Sequence, residues 1–185
     1  MSFMLWKLLK SEYLFRDLWF TVRKDTCEKQ NGSLVDPYYV YEFPDWVTAV
    51  ALTADGKFIF EKQYRHAAGL TMMEIPGGCV DPEDNSLEDA IARELLEETG
   101  FQFSNLEYLG KTSANPSTHN NWMHFFLASG GVKVSEQDLD PNEEIELHFL
   151  SIEEVKELLK TGQIHQSMHV TALLHALHKL GFLHY

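Results

Sequence analysis

One stretch, EIPGGCVDPEDNSLEDAIARELLEETGF at residues 74–101, limits the possible folds more than any other part of the chain. It reads as a strand end, a glycine turn and an amphipathic helix. Asn85 or Ser86 supplies an N-cap, with Asp89 three residues beyond Ser86 as in a capping box. Leu87, Ala90, Ile91 and Leu95 recur at helical spacing, and Gly100 closes the helix. Met72, Met73 and Ile75 form an apolar run ahead of Pro76, Gly77 and Gly78. Glycines there let backbone approach a ligand closely and present carbonyls to it.

The helix carries its charges in the wrong place for a solvated face. Glu94 and Glu98 stand at i and i+4, where like charges cost roughly 0.2–0.5 kcal/mol. They also lie near the C-terminus, where the helix dipole favours cations. At ~100° per residue they flank Leu87 and so border the apolar stripe. A solvated acidic face would put its carboxylates opposite that stripe, interspersed with Lys. The pattern instead predicts oxygen ligands for a hard divalent cation.

Arg93, Glu94, Leu95, Glu97, Glu98 and Gly100 match in order the second half of the Nudix hydrolase signature, which the whole stretch resembles. The first half departs from it. Asn85 stands where the family has Glu, and Gly78 lies one residue too far upstream, so residues 79–85 carry a one-residue insertion with Glu83 or Asp84 standing in. Segments at 6–32, 38–69 and 142–155 are similar to the ADP-ribose pyrophosphatase branch, QYRHAAG before EIPGG most of all. The resemblance implies an α/β/α sandwich with a mixed β-sheet.

It also implies a site. Magnesium, or manganese in its place, is held by Glu94, Glu97, Glu98 and the Gly77 carbonyl, with Glu143 as a further metal ligand or the base that activates water. Arg93 anchors Glu97 from four residues away. Arg65 binds phosphate oxygens, as a guanidinium fork suits. Glu74 holds a sugar hydroxyl or a metal-bound water. Trp19 stacks on the base, with Trp46 as the alternative. The implied substrate is a nucleoside diphosphate linked to a sugar, ADP-ribose first, giving AMP and ribose 5-phosphate. The alternatives are a GDP-sugar, a nucleoside triphosphate, or a non-catalytic nucleotide-binding module.

Composition agrees with a globular chain. Of 185 residues 44% are hydrophobic and 12% aromatic, which excludes a disordered chain. A net charge of −13 argues against a nucleic-acid or anionic-membrane surface. An acidic protein with a pyrophosphate substrate needs a cation to bridge them. Cys27 and Cys79 form no metal or redox motif and read as reduced thiols. His165 and His169 share the i, i+4 spacing of zinc ligands, without the Glu or third ligand of a zincin. The start offers an apolar run of only four residues before Lys7, too short for a signal peptide, so the expected compartment is the cytoplasm.

Residues 1–44 read as an irregular β subdomain, with a strand at 18–24, a turn at Asn31-Gly32, another at Asp36-Pro37 and a strand at 38–43. Its aromatics, Trp6, Phe15, Trp19 and Phe20, need cover, and the resemblance implies a homodimer formed through this region. Residues 45–185 read as the hydrolase domain. Strands are expected at 47–53 and 57–63 around an ADGK hairpin, then at 106–111, 123–128 and 144–150. Helices follow at 151–159 and 167–179.

Overall fold

The computed structural model describes residues 4–17 and 20–183. The chain forms two compact units: Met1–Pro44 together with Ser113–Asn121, and Asp45–Thr112 together with Trp122–Tyr185. The loop Ser113–Asn121, read from the sequence as part of 45–185, therefore belongs with the N-terminal segment.

The first unit is a three-stranded antiparallel sheet in the order β1-β2-β3, with β1 at Lys7–Arg16, β2 at Thr21–Glu28 and β3 at Leu34–Glu42. The sequence reading contains no β1, because all ten of its residues are exposed and leave no apolar alternation to detect. Asn31 and Gly32 form the expected turn. Asp36-Pro37 does not: the pair lies inside β3. That strand is a sheet edge, where a residue without an N–H is tolerated. Asp25 is buried in β2 and fixed by Ser11 and by Arg23, which also pairs with Glu42.

The second unit is a mixed sheet in the order β10-β5-β4-β9-β7, with β6 paired to β5 and β8 to β9. β4 (Trp46–Thr53) and β9 (Met123–Lys133) run parallel at its centre. Such a central pair is covered on both faces, hence the near-continuous apolar run of β4. β5 (Phe58–Arg65) follows the Ala54–Lys57 turn, and β6 (Leu70–Glu74), β7 (Phe101–Gln102), β8 (Asn105–Thr112) and β10 (Ile145–Leu150) complete the sheet.

Alternation along the strands sends side chains to two cores. Val47, Ala49, Ala51, Ile59, Phe126 and Ala128 meet Ala90, Ile91 and Leu95 of α1 (Leu87–Thr99). Val50, Phe58, Phe60, Phe125 and Leu127 meet Val155 of α2 (Ile152–Lys160) and Ala172, Leu173, Ala176 and Leu177 of α3 (Ser167–Lys179). Burying a side chain such as Ile91 or Leu95 contributes about 1.5–3 kcal/mol. The result is the expected α/β/α sandwich. Ser86 is the N-cap of α1, its hydroxyl accepting from the Asp89 N–H at 3.0 Å. Gly100 ends the helix at φ 74°. Among the described residues no helix is long and apolar enough to cross a membrane.

Candidate active site

The glycine turn between β6 and α1 is held against β4 almost as an added strand. Ala49 N–H donates to the Pro76 carbonyl at 3.0 Å, Val47 N–H to the Gly78 carbonyl at 2.9 Å. The Gly77 carbonyl between them has no backbone donor among the described residues. Gly77 adopts φ 147°, and a Cβ there would stand 2.2 Å from the Val47 carbonyl oxygen. A Cβ on Gly78 would stand 2.5 Å from the Glu94 carboxylate. Only glycines let this turn lie between β4 and the helix carboxylates.

Arg93 ties the following loop to α1. Its Nε and Nη2 bond the two oxygens of Asp84 at 3.1 and 2.9 Å, and Nη2 also donates to the Cys79 carbonyl at 3.0 Å. Nη1 reaches Glu94 and Glu97, each at 3.0 Å. Of Glu83 and Asp84, the two candidates in this loop, it is Asp84 that Arg93 bonds. With so many partners Arg93 is a positioning residue for the loop and for two carboxylates, and its pKa is raised further by Asp84.

Glu94 and Glu98 are both buried, 8% and 5% exposed, while Glu97 is partly open. Glu98 accepts the Gly77 N–H at 2.7 Å. A third carboxylate, Glu61 of β5, joins them from the sheet and is 3% exposed. One of its oxygens, Oε1, is buried without a hydrogen-bond partner. Directly across the ladder from Glu61 stands Glu74, also buried. Arg65 forks onto one Glu74 oxygen through Nε at 2.9 Å and Nη2 at 2.6 Å. Glu74, expected as a substrate or water ligand, here orients Arg65, whose side chain stays 46% exposed.

Burial and mutual repulsion set the protonation of this cluster. Burial, then the Glu74 charge, pushes Glu61 up to about 8. Burial pushes Glu94 up to about 7 against the pull of Arg93, with Glu97 and Glu143 adding repulsion. Burial, then Glu61 and Glu94, raises Glu98 well above the usual carboxylate range. Glu143 lies before β10, accepts the Asp140 N–H at 3.1 Å, and its charge is felt by Glu61, Glu94 and Glu98 alike.

The donor set suits a hard divalent cation: carboxylates and a free carbonyl, all oxygen, with more negative charge than Arg65 and Arg93 neutralise. Among the described residues no three His, Cys, Asp or Glu side chains stand in the geometry of a finished metal cage. Glu98 is turned to the Gly77 N–H and Glu94 and Glu97 to Arg93.

The remaining sequence candidates fall elsewhere. Trp19 lies outside the described residues. Trp46 is half-buried in β4, beside the glycine loop, and its side chain hydrogen-bonds Cys79. Burial and the Glu94 charge raise the Cys79 thiol, which leaves it protonated and unsuited to nucleophilic work. His169 is buried with Nδ1 facing the Ile75 N–H at 3.4 Å, while His165 is exposed before α3, so the two do not form a zinc pair. Glu61 was missed altogether. Its signal is positional: two residues from Ile59 on one strand, it shares the face that α1 covers.

Comparison with known proteins follows the same lines. The NUDIX domain matches residues 43–170, and the nucleoside diphosphate sugar hydrolase N-terminal domain matches residues 6–41. The methanol dehydrogenase activator of Bacillus methanolicus is 27% identical over 90% of this chain and 90% of its own. The ADP-ribose pyrophosphatase of Bacillus subtilis is 26% identical over 87% of this chain and 86% of its own. A crystal structure of an ADP compounds hydrolase superposes with a TM-score of 0.84 at 25% identity, covering 99% of this chain and 100% of that one.

Proposed function

The chain belongs to the NUDIX family as a nucleoside diphosphate sugar hydrolase, and we propose that its substrate is ADP-ribose, cleaved with magnesium to AMP and ribose 5-phosphate. The observation that carries this reading is the buried carboxylate cluster beside a glycine turn, with a half-exposed arginine at its edge. Magnesium, or manganese in its place, would be held by Glu94, Glu97, Glu98 and the Gly77 carbonyl. When bound, it supplies charge stabilisation for the pyrophosphate and acidifies a water. Arg65, steadied by Glu74, binds pyrophosphate oxygens in its open half. Glu143 takes the proton of the attacking water, whose oxygen joins one phosphorus as the bridging oxygen leaves with the other phosphate.

A panel of ADP-ribose, a GDP-sugar and ATP, each with magnesium and with chelator, tests the substrate. Fastest magnesium-dependent release of AMP and ribose 5-phosphate from ADP-ribose is expected. Preference for either other nucleotide would replace ADP-ribose in this reading, and no turnover of any would favour a binding module.

The N-terminal sheet supports the further proposal of a homodimer. Leu8, Leu9, Leu14 and Phe15 of β1 are each about half exposed, far more apolar surface than one strand ordinarily shows water. Light scattering at micromolar concentration should give twice the 21.3 kDa chain mass. A monomer would end the proposal.

A further inference from the structure

Glu61 stands with the helix carboxylates but has no role in the reading above, and it is poorly provided for where it lies. It is a carboxylate 3% exposed, on the core-facing side of β5 between Ile59 and Gln63. Its ladder neighbours are Leu147 on β10 and Glu74 on β6. Leucine offers it nothing polar. Glu74 repels it and is already taken by Arg65. Oε1 accordingly has no hydrogen-bond partner among the described residues. A buried acceptor left unpaired costs about 1–3 kcal/mol, more for a charged group. A strand position on the α1 side would be filled at no such cost by the valine or isoleucine that β-strands favour.

The side chain faces other carboxylates. Glu74, Glu143 and Glu94 all act on Glu61, and Glu61 is the strongest charged influence on Glu98. Sheet and helix thus close on one small region with acidic groups from both sides. The two arginines nearby are committed: Arg65 to Glu74, and Arg93 to Asp84, Cys79, Glu94 and Glu97. Neither reaches the vacant oxygen.

We propose that Glu61 is a direct ligand of the divalent cation in this site, contributing an oxygen from the sheet opposite Glu94 and Glu98 on the helix. The inference rests on the metal-dependent reading above and adds to it a ligand from outside the helix and its glycine turn. A cation there satisfies the unpaired oxygen and relieves repulsion among at least three carboxylates together. Six to eight oxygens for calcium, or six for magnesium and manganese, leave room for such a ligand beside three glutamates and a carbonyl.

The test is metal binding, not turnover. Manganese is titrated into the metal-free protein and the free ion read by electron paramagnetic resonance, for the wild type, Glu61→Gln and Glu98→Gln. Melting temperature is measured with and without manganese in parallel. Glu61→Gln is expected to weaken manganese at least tenfold and to lose most of the metal-induced rise in melting temperature, while melting higher than wild type without metal. Glu61→Met serves if the amide is poorly accommodated, and should show the same two changes. Unaltered manganese affinity in a folded Glu61 variant, with Glu98→Gln weakened, overturns the role of Glu61 and leaves the helix site standing. No manganese binding by the wild type overturns both.

Discussion

Glu143 lies far along the sequence from the helix whose carboxylates feel its charge. It lies in an acidic loop that by composition reads as solvated surface, yet its charge acts on Glu61, Glu94 and Glu98. If it removes the proton of the attacking water, Glu143→Gln lowers kcat by about two to four orders of magnitude. Added magnesium then fails to restore the rate; recovery at high magnesium would make Glu143 a metal ligand only. Glu94 and Glu98 were legible because helical spacing places them beside the apolar stripe by local rules alone. Glu61 was not. Within FEKQYR it reads as one more charge near a strand end, and only pairing with β6 and β10 and cover by α1 make it buried. Glu74 was seen as a candidate but not as the partner of Arg65, since that pairing depends on the register between β5 and β6.

The unit of glycine turn, loop and α1 was recognised as a whole, including the irregular count in its loop. What the sequence left open was which acid replaces the missing Glu at Asn85. Of the two candidates Asp84 meets the Arg93 guanidinium, which bonds both of its oxygens. Asp84 is held below the usual carboxylate range by that arginine. Asp84→Ala removes two charge-assisted bonds and loosens the loop on the helix, leaving Arg93 the Cys79 carbonyl and the more distant Asp81 there. The expected cost is about 1.5–3 kcal/mol of stability, with magnesium affinity reduced about 10–100-fold, as for other residues that orient metal ligands. Thermal melting and a magnesium titration of activity measure the two effects. An Asp84→Ala protein with wild-type melting and magnesium dependence would show that the Arg93 clamp does not organise the loop. β1 marks the opposite case, an element invisible in the sequence because its residues obey no single buried face.

At the scale of the molecule, buried carboxyls make metal-free stability depend on pH. Glu61 and Glu94, with folded pKa values of about 8 and about 7 against 4.5 for the free side chain, hold more protons folded than unfolded in between. Their contribution is fully present below about pH 4.5 and lost as pH rises through 7 to 8. Glu98 acts in the same direction. His169 acts in the other: buried and neutral, its pKa depressed from 6.5 to about 3, it contributes above 6.5 and is lost as pH falls toward 3. Three carboxyls outweigh one imidazole, so the metal-free melting temperature should fall between about pH 5 and pH 8. Magnesium should flatten that slope by standing in for the protons. A metal-free melting temperature that rises over this range would contradict the buried cluster.

Whether the helix carboxylates hold the cation on which hydrolysis depends is read from the rate of ADP-ribose hydrolysis against magnesium concentration, for the wild type and for Glu98→Gln. Saturable activation of the wild type is expected, with equal yields of AMP and ribose 5-phosphate and no rate with chelator. Glu98→Gln should fold normally and lose at least about a hundredfold in activity, since even residues that only orient metal ligands cost 10–100-fold. Turnover that survives chelation, or a Glu98→Gln enzyme equal to wild type at saturating magnesium, would contradict it.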